Sequence, residues 1–471
     1  MLSLDRSGRR TVPAIRLSPR WLSPAGAALL VGLGYHAAGS SLALLSIAGL
    51  IVLGTIAPRG PLIVLPASLG LVYQPLQIGL GTARLNPAEI LIVSTAAGVS
   101  FRAALAVVRS RANWGSQIAT LRDWFVDLRF SAIAIGLLVA GTVSLGTVAD
   151  QEHWRESLRE FRWVVLEPVV AYFLCCWFLR PRDDRWRALD VWAIASAGIA
   201  LYSLGAGLAG SGLAVEGVVR LRGLHPHPNA LALYLERPLV LAAVLALALA
   251  GRNRWLWAIP AVISAGALVL TYSRGALLSV LLTTLLAGWL TRRYRLTLAL
   301  TAISILAITG LILAAPERFL SLFEGGSGSL RLQIWSASLA MIRDYPVFGV
   351  GLDQFLYQYA PRYVAPEAWP ERFTSHPHNL LFDAWLRLGL MGITLFICVA
   401  VALLRCVADA RREGKPIAMA ASFAVVVGAV HGLVDNGYFL PDLALAFWLL
   451  AAILDLELSR RPAVAPAVEA G

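Results

Sequence analysis

Charge is scarce in this chain. Only 14% of its residues are Asp, Glu, Lys or Arg, whereas 58% are hydrophobic. A water-soluble protein could not clothe its surface from so small a polar supply. The apolar residues fall in runs of roughly 17–25, about the length that crosses a bilayer core. Segments of alternating polarity, which a membrane barrel requires, are missing. The fold class expected is therefore all-α: a polytopic helical integral membrane protein, read as one membrane-embedded domain over residues 1–471.

Lysine is almost absent. Lys415 is the single lysine, so the formal net charge of +12 is carried by arginine. Most of these arginines sit in short connections between apolar runs, which is the pattern of cytoplasmic loops and not of a nucleic-acid surface. Cysteine is sparse too. Cys175, Cys176, Cys398 and Cys406 all lie in or beside apolar runs. They give neither a disulfide framework nor Cys/His metal spacing. An outer Asp-x-Asp cluster is also lacking, so neither a metal nor a cofactor is expected. Internal repeats and heptads are missing, and the Ala/Pro-rich tail at 461–471 reads as disordered.

Hydropathy gives about fourteen spans, in an expected range of 12–14, near 24–38, 41–56, 62–79, 87–105, 129–148, 163–180, 187–207, 229–250, 255–272, 276–291, 296–315, 379–404, 416–433 and 441–457. Arg6, Arg9, Arg10, Arg16 and Arg20 precede the first of them, as in a signal anchor. With that end inside, "RSR" (109–111), "RPRDDRWR" (180–187), "GRNR" (251–254), "RRYR" (292–295), "RREGK" (411–415) and "RR" (460–461) all fall on the inner side. Both termini are then cytoplasmic.

The outer connections break the charge rule. They include "VVRLRGLHPHPN" (218–229), "TYSRGA" (271–276), a long loop at 316–378 and "HGLVDNGYFLPD" (431–442). Arginine on that side needs a reason other than topology. In the long loop, Leu332, Trp335, Leu339 and Ile342 have helical spacing, which predicts a short amphipathic helix on the membrane face. "GVG" (349–351) reads as a tight turn.

"TSHPHNLLFDAWLRLGL" (374–390) then opens a span. Pro377 disfavours a helical His376 and suits a first turn, so the helix is expected to begin near Pro377 or His378, capped by Ser375 or His376. Helix N-termini attract anions and keep a nearby imidazole neutral, the state a general base needs. The bland alternative is a pair of histidines that merely cap a helix. His225, His227, Pro228 and Asn229 repeat the arrangement beside Arg220 and Arg222, Arg274 opens a third helix, and Asp435 and Pro441-Asp442 precede a fourth. Guanidinium forks suit phosphate oxygens. Together these segments predict an outward-facing site for an anionic substrate. Glu236 with Arg237, Glu167, and Asp383 with Arg387 are charges within apolar runs; the last pair, at i,i+4, reads as structural.

At these residues the chain resembles the O-antigen ligase / O-antigen polymerase superfamily of membrane-embedded C-type glycosyltransferases. The resemblance rests on "RLRGLHPHPNALALYL", "LTYSRGALLSVLL", "IWSASLAMIRDYPVFGVGLDQF", "HPHNLLFDAWLRLGLMG" and "HGLVDNGYFLPDLALAFWLL", and it covers the chain from about 160 onward. It implies transfer of a glycan from an undecaprenyl-diphosphate carrier to an acceptor hydroxyl on the outer face of the bacterial inner membrane. Arg220 and Arg274 then hold the diphosphate and His378 serves the acceptor. Arg222, His376, Asn379, Asn229, Asp435 and Arg331 are the further substrate-binding candidates. Many members carry Glu before the Leu-Gly that follows the His-Asn motif; this chain has Arg387. Polymerisation of carrier-linked repeats is the alternative in the same class. A transporter or flippase of lipid-linked sugars is the alternative from another class, with a membrane scaffold behind it.

Overall fold

The computed structural model describes residues 22–38, 40–77, 84–109, 127–215, 217–249, 253–292, 294–316 and 327–459. The arginine-rich N-terminus, most of "RSR", half of "GRNR", part of the long loop, "RR" (460–461) and the 461–471 tail lie outside the described residues. In chain order the helices are α1 (Leu22–His36), α2 (Ser41–Ile56), α3 (Arg59–Ser68), α4 (Pro87–Arg109), α5 (Ser131–Gly146), α6 (Trp154–Phe161), α7 (Glu167–Phe178), α8 (Arg182–Leu208) and α9 (Pro228–Ala248). They continue with α10 (Asn253–Val269), α11 (Arg274–Thr291), α12 (Tyr294–Ala314), α13 (Ser327–Asp344), α14 (Phe355–Gln358), α15 (Leu380–Glu413), α16 (Pro416–His431) and α17 (Pro441–Leu458). The apolar runs anticipated from hydropathy are helical over most of their described lengths, except that the run at 62–79 is helical only to Leu71 and then turns into a short strand, Leu76–Gln77. Among the described residues, 7 helical stretches are long and apolar enough to cross a membrane, and shorter apolar helices accompany them. The protein is a polytopic helical membrane protein.

The outer surface of the bundle fits a lipid solvent. On α12, Leu298, Leu306 and Leu313 are 70%, 74% and 78% exposed, an arrangement that only an apolar surrounding tolerates along a whole helix. Inside, an apolar core runs from Ala27 to Leu458. The bundle has two polar ends. At one, Arg185 Nε lies 2.7 Å from Glu457 Oε1, Lys415 Nζ donates to the Glu457 carbonyl at 2.6 Å, and Arg129 pairs with Asp409 at 2.7 Å. At the other, the N-termini of α9, α11, α15 and α17 converge.

A small hairpin, unforeseen from the sequence, leads into α9. Leu213–Val215 pairs antiparallel with Val218–Arg220, in the register Leu213↔Arg220. It is tied to the end of α10 by Leu221 N–H donating to the Leu270 carbonyl at 3.1 Å.

The "GVG" turn is a backbone lock. Gly389 interrupts α15 with φ 63° and ψ −150°. That break frees the Leu386 carbonyl and the Leu390 N–H from the helix ladder. Val350 and Gly351 donate to Leu386 O at 2.7 and 3.1 Å, and Leu390 donates to Val347 O at 2.9 Å. Gly349 and Gly351 have φ of 70° and 110°, the left-handed region where a Cβ is penalised. With its N–H groups given to Leu386, this turn is not a phosphate cradle.

The long loop forms α13, α14 and short helical turns, with its own apolar cluster of Ile334, Ala337, Met341, Ile342, Val350, Phe355 and Tyr359 against Leu386 of α15. The stretch expected to be an amphipathic helix lies within α13, where two stripes differ in exposure. Leu332 and Leu339 are 62% and 45% exposed, while Ile334, Ser338 and Met341 are buried. Hydropathy alone could not tell which stripe meets the protein and which meets lipid, because both are apolar.

The Asp383–Arg387 pair is part of a larger buried group. Arg387 Nε lies 2.6 Å from Asp383 Oδ1, its Nη1 also meets Glu160, and its Nη2 donates to the Ser375 carbonyl at 3.3 Å. One guanidinium thus joins α6, α15 and the backbone just before His376. Arg387→Met leaves two carboxylates buried without it. The expected loss is about 3–5 kcal/mol, read as a lower midpoint of thermal unfolding in detergent.

Candidate active site

The convergence of helix N-termini encloses a cavity of ≈ 460 Å³ lined by Arg220, Asn229, Arg274, Arg331, His376, His378, His431 and Asp435 among others. Arg220 enters it from the second hairpin strand and is 1% exposed. Its Nε donates to the Thr271 carbonyl at 2.6 Å and its Nη2 to Asn229 Oδ1 at 2.6 Å. These contacts aim a buried cation into the cavity. Arg274 stands at the first position of α11, where the helix's partial positive charge adds to its own.

Asp435 is the hub. Its Oδ1 lies 3.1 Å from His378 Nδ1, and its Oδ2 accepts from Asn229 Nδ2 at 3.3 Å and from Arg331 Nη2 at 3.4 Å. Asn436 N–H caps Oδ1 at 2.8 Å. A continuous hydrogen-bonded chain therefore links Arg220, Asn229, Asp435 and His378. Burial works to raise the Asp435 carboxyl, but its contacts with His376 and His378 outweigh it, holding it well below the usual carboxylate range. An ionised Asp435 accepts the proton of His378 Nδ1. The lone pair is then on Nε2, which Thr374 Oγ1 approaches at 3.3 Å. His378 has φ 53°, a left-handed conformation that a histidine adopts only at some cost.

His376 Nε2 lies 3.6 Å from Asp435 Oδ1, beyond hydrogen-bond reach, and its ring centroid is 4.2 Å from that of His378. Burial and then the neighbouring His378 lower its basicity, so at neutral pH it is uncharged. His376, His378 and Asp435 offer ligand atoms within 4.8 Å of one another, close enough to hold a metal ion. Against that, Asp435 is already committed to Arg331 and Asn229, and among the described residues the cavity carries three arginines (Arg220, Arg274, Arg331) against two carboxylates (Glu371, Asp435). Such a surface favours an anion.

The structure therefore gathers Arg220, Arg274, His378, His376, Asn229, Asp435 and Arg331 in one cavity. It separates two other candidates from them. Arg222 is exposed and is not among the cavity's lining residues. The strand ends at Arg220, so the alternation that would put both arginines on one face does not reach it. Asn379 is the cap of α15: its Oδ1 accepts from Leu381 and Phe382 N–H at 3.0 and 3.2 Å, and its Nδ2 donates to Leu433 O at 2.9 Å. This also moves the helix start from the expected Pro377 or His378 to Leu380. The left-handed His378 is the reason, since it breaks the turn that Pro377 was expected to begin.

His227 caps α9, accepting from Asn229 N–H at 3.2 Å, and also lines the cavity. His225 serves packing instead. It is buried between Tyr73 and Tyr234, whose ring centroids are 5.6 and 5.2 Å away, and burial lowers its pKa to about 4. Sequence reasoning missed Thr374 and His431. A hydroxyl four residues from a histidine carries no sequence signal. His431 had one, as a histidine beside Gly-Leu-Val-Asp-Asn, but its partner Glu236 is 195 positions away.

Fold and cavity together define a membrane-embedded helical protein with a cationic, histidine-bearing site at one end of its bundle. Residues 259–397 match the protein-family model described as O-Antigen ligase. This match supports the resemblance to the O-antigen ligase superfamily. The matched segment contains Arg274, the long loop and His378, while Arg220, Asn229, His431 and Asp435 are brought to it by the fold from outside. Among curated proteins, no sequence matches this chain.

Proposed function

We propose that the protein is a glycosyltransferase that moves a glycan from an undecaprenyl-diphosphate carrier to an acceptor hydroxyl at the extracytoplasmic face of the bacterial cytoplasmic membrane. One observation carries this reading: the cavity places the cations Arg220 and Arg274 and the His378–Asp435 pair around one space, joined through Asn229. Cations at a helix N-terminus suit a diphosphate. A neutral imidazole held by a carboxylate suits proton removal from a hydroxyl.

In this mechanism Arg220 and Arg274 hold the diphosphate and stabilise its charge as the glycosidic bond breaks. Nε2 of His378 takes the proton of the acceptor hydroxyl, which enters where Thr374 Oγ1 now approaches. The acceptor oxygen attacks the anomeric carbon as the diphosphate departs, inverting its configuration in a single displacement. Asp435 orients His378 and balances the charge it gains. The long loop, anchored through Gly349–Gly351 to the kink of α15, covers the site against water. The lipid-linked donor, the acceptor glycan or lipid-glycan, and membrane lipids are its partners. Both termini and the Arg185–Glu457 end face the cytoplasm under the positive-inside rule. The chain acts as one membrane-embedded domain.

The guanidinium groups take the place of a metal in this scheme. Transfer activity is expected to persist unchanged in excess chelator. Strict dependence on a divalent ion, restored by adding it back, would instead assign His376, His378 and Asp435 as its ligands. Product size tests the acceptor: a single transfer marks a ligase, and a ladder of carrier-linked repeats marks a polymerase.

A further inference from the structure

A second histidine–carboxylate pair faces the same cavity. Glu236, in the third turn of α9 and 0% exposed, accepts from His431 at the end of α16, with Oε2 2.7 Å from Nδ1. Ser279 Oγ of α11 lies 3.3 Å from the same oxygen, and Arg237 Nη1 lies 3.4 Å from the other. Arg237 is itself fixed by the carbonyls of Leu233 and Gly437 at 2.7 Å each. A buried carboxylate in a membrane helix is costly and calls for a use. Here it fixes one imidazole in one orientation, with Nδ1 turned inward.

The other edge of that ring meets the first turn of α11. A Cβ added at Gly275 would lie 2.6 Å from His431 Nε2 and 2.8 Å from its Cδ2. Only glycine lets the ring come this close, which gives the Ser273-Arg274-Gly275 motif a physical reason for its third residue. His431 thus stands beside Arg274, at the helix end where the anion is held in the proposed function.

We infer that His431 is a further substrate-contacting residue, giving a hydrogen bond from Nε2 to a phosphate oxygen of the donor. The inference rests on the diphosphate reading of the cavity. A ring that donates from both nitrogens is an imidazolium, and Glu236 on one side and the phosphate on the other are its counter-charges. The other charged groups around it are Arg237 from α9, Arg274 from α11 and Asp435 after α16. Two histidines then divide the work: His378 serves the acceptor, and His431 serves the donor.

The test is binding of farnesyl diphosphate to the full-length protein in detergent, measured by calorimetry, with the thermal midpoint recorded for each variant. Wild type is expected to bind, and Arg274→Ala to lose binding. His431→Ala is expected to weaken binding about 10-fold or more, the usual consequence of losing a charge-assisted hydrogen bond. His431→Gln keeps an N–H donor and is expected to recover part of that loss. A purely structural histidine would show the same loss in both variants, in step with a lower thermal midpoint, and that result would overturn the inference. Gly275→Ala supplies an independent arm, because its methyl displaces the ring. It is expected to weaken binding in the wild-type background and to add little in the His431→Ala background. Wild-type binding that is lost in Arg274→Ala but unchanged in folded His431→Ala overturns the inference alone. A wild type without affinity for the diphosphate overturns the reading on which it rests, and the inference with it.

Discussion

His378→Ala is expected to lower kcat for glycan transfer by about 10²–10⁴-fold, the range that a positioned general base contributes. Donor binding should be nearly unchanged, because the residues proposed to hold the diphosphate do not rely on His378 for their position. Arg220 is fixed by Thr271 O and Asn229, and Arg274 by the first turn of α11. The direct measurement is single-turnover transfer at saturating donor, together with donor affinity. Asp435→Asn should give a related but mixed effect. It removes the charge that orients His378 and, at the same time, the partner of Arg331 and Asn229.

Arg274→Ala is the second large effect, and it should separate cleanly from the first. Its guanidinium is proposed to meet charge that grows as the diphosphate departs. Loss of one such preorganised donor costs about 10²–10³-fold in rate. Because the ground-state diphosphate is already anionic, affinity should fall as well, so both KM and kcat worsen. Arg274→Lys keeps the charge but not the planar fork, and only partial recovery is expected. Full recovery with lysine would mean that charge alone is needed at that position.

Much of the architecture could be read from composition because a bilayer imposes a simple rule on sequence. Runs of about 20 apolar residues are expected to be helices, and the described runs are, apart from the one at 62–79, which is helical only to Leu71. The candidate site was legible for a related reason. Arginine and histidine in connections that the charge rule reads as outer, in a chain with so few charges, need a local explanation, and Arg220, Arg274, His378 and Asp435 do converge. What was not legible depends on backbone detail or on distant pairing. The left-handed His378 moved the helix start and turned Asn379 into a cap. The kink at Gly389 gave "GVG" a docking partner nearly forty residues on, and no periodicity announces such a partner. The second stripe of α13, Ile334 and Met341 buried against the loop's own cluster, could not be told from the exposed one by apolarity. Glu236 reads beside Arg237 and not with His431, since that contact is made only when α9, α11 and α16 pack together.

The most direct test of the central claim is transfer by the purified protein, supplied with undecaprenyl-diphosphate-linked glycan extracted from the native host and its acceptor fraction. Wild type and His378→Ala would be run side by side, with products resolved by size. The account predicts a glycan-bearing acceptor from wild type and almost none from the variant, with carrier still bound by both. Equal transfer by the two proteins would contradict it, reducing His378 to part of a turn before a helix and moving the base elsewhere.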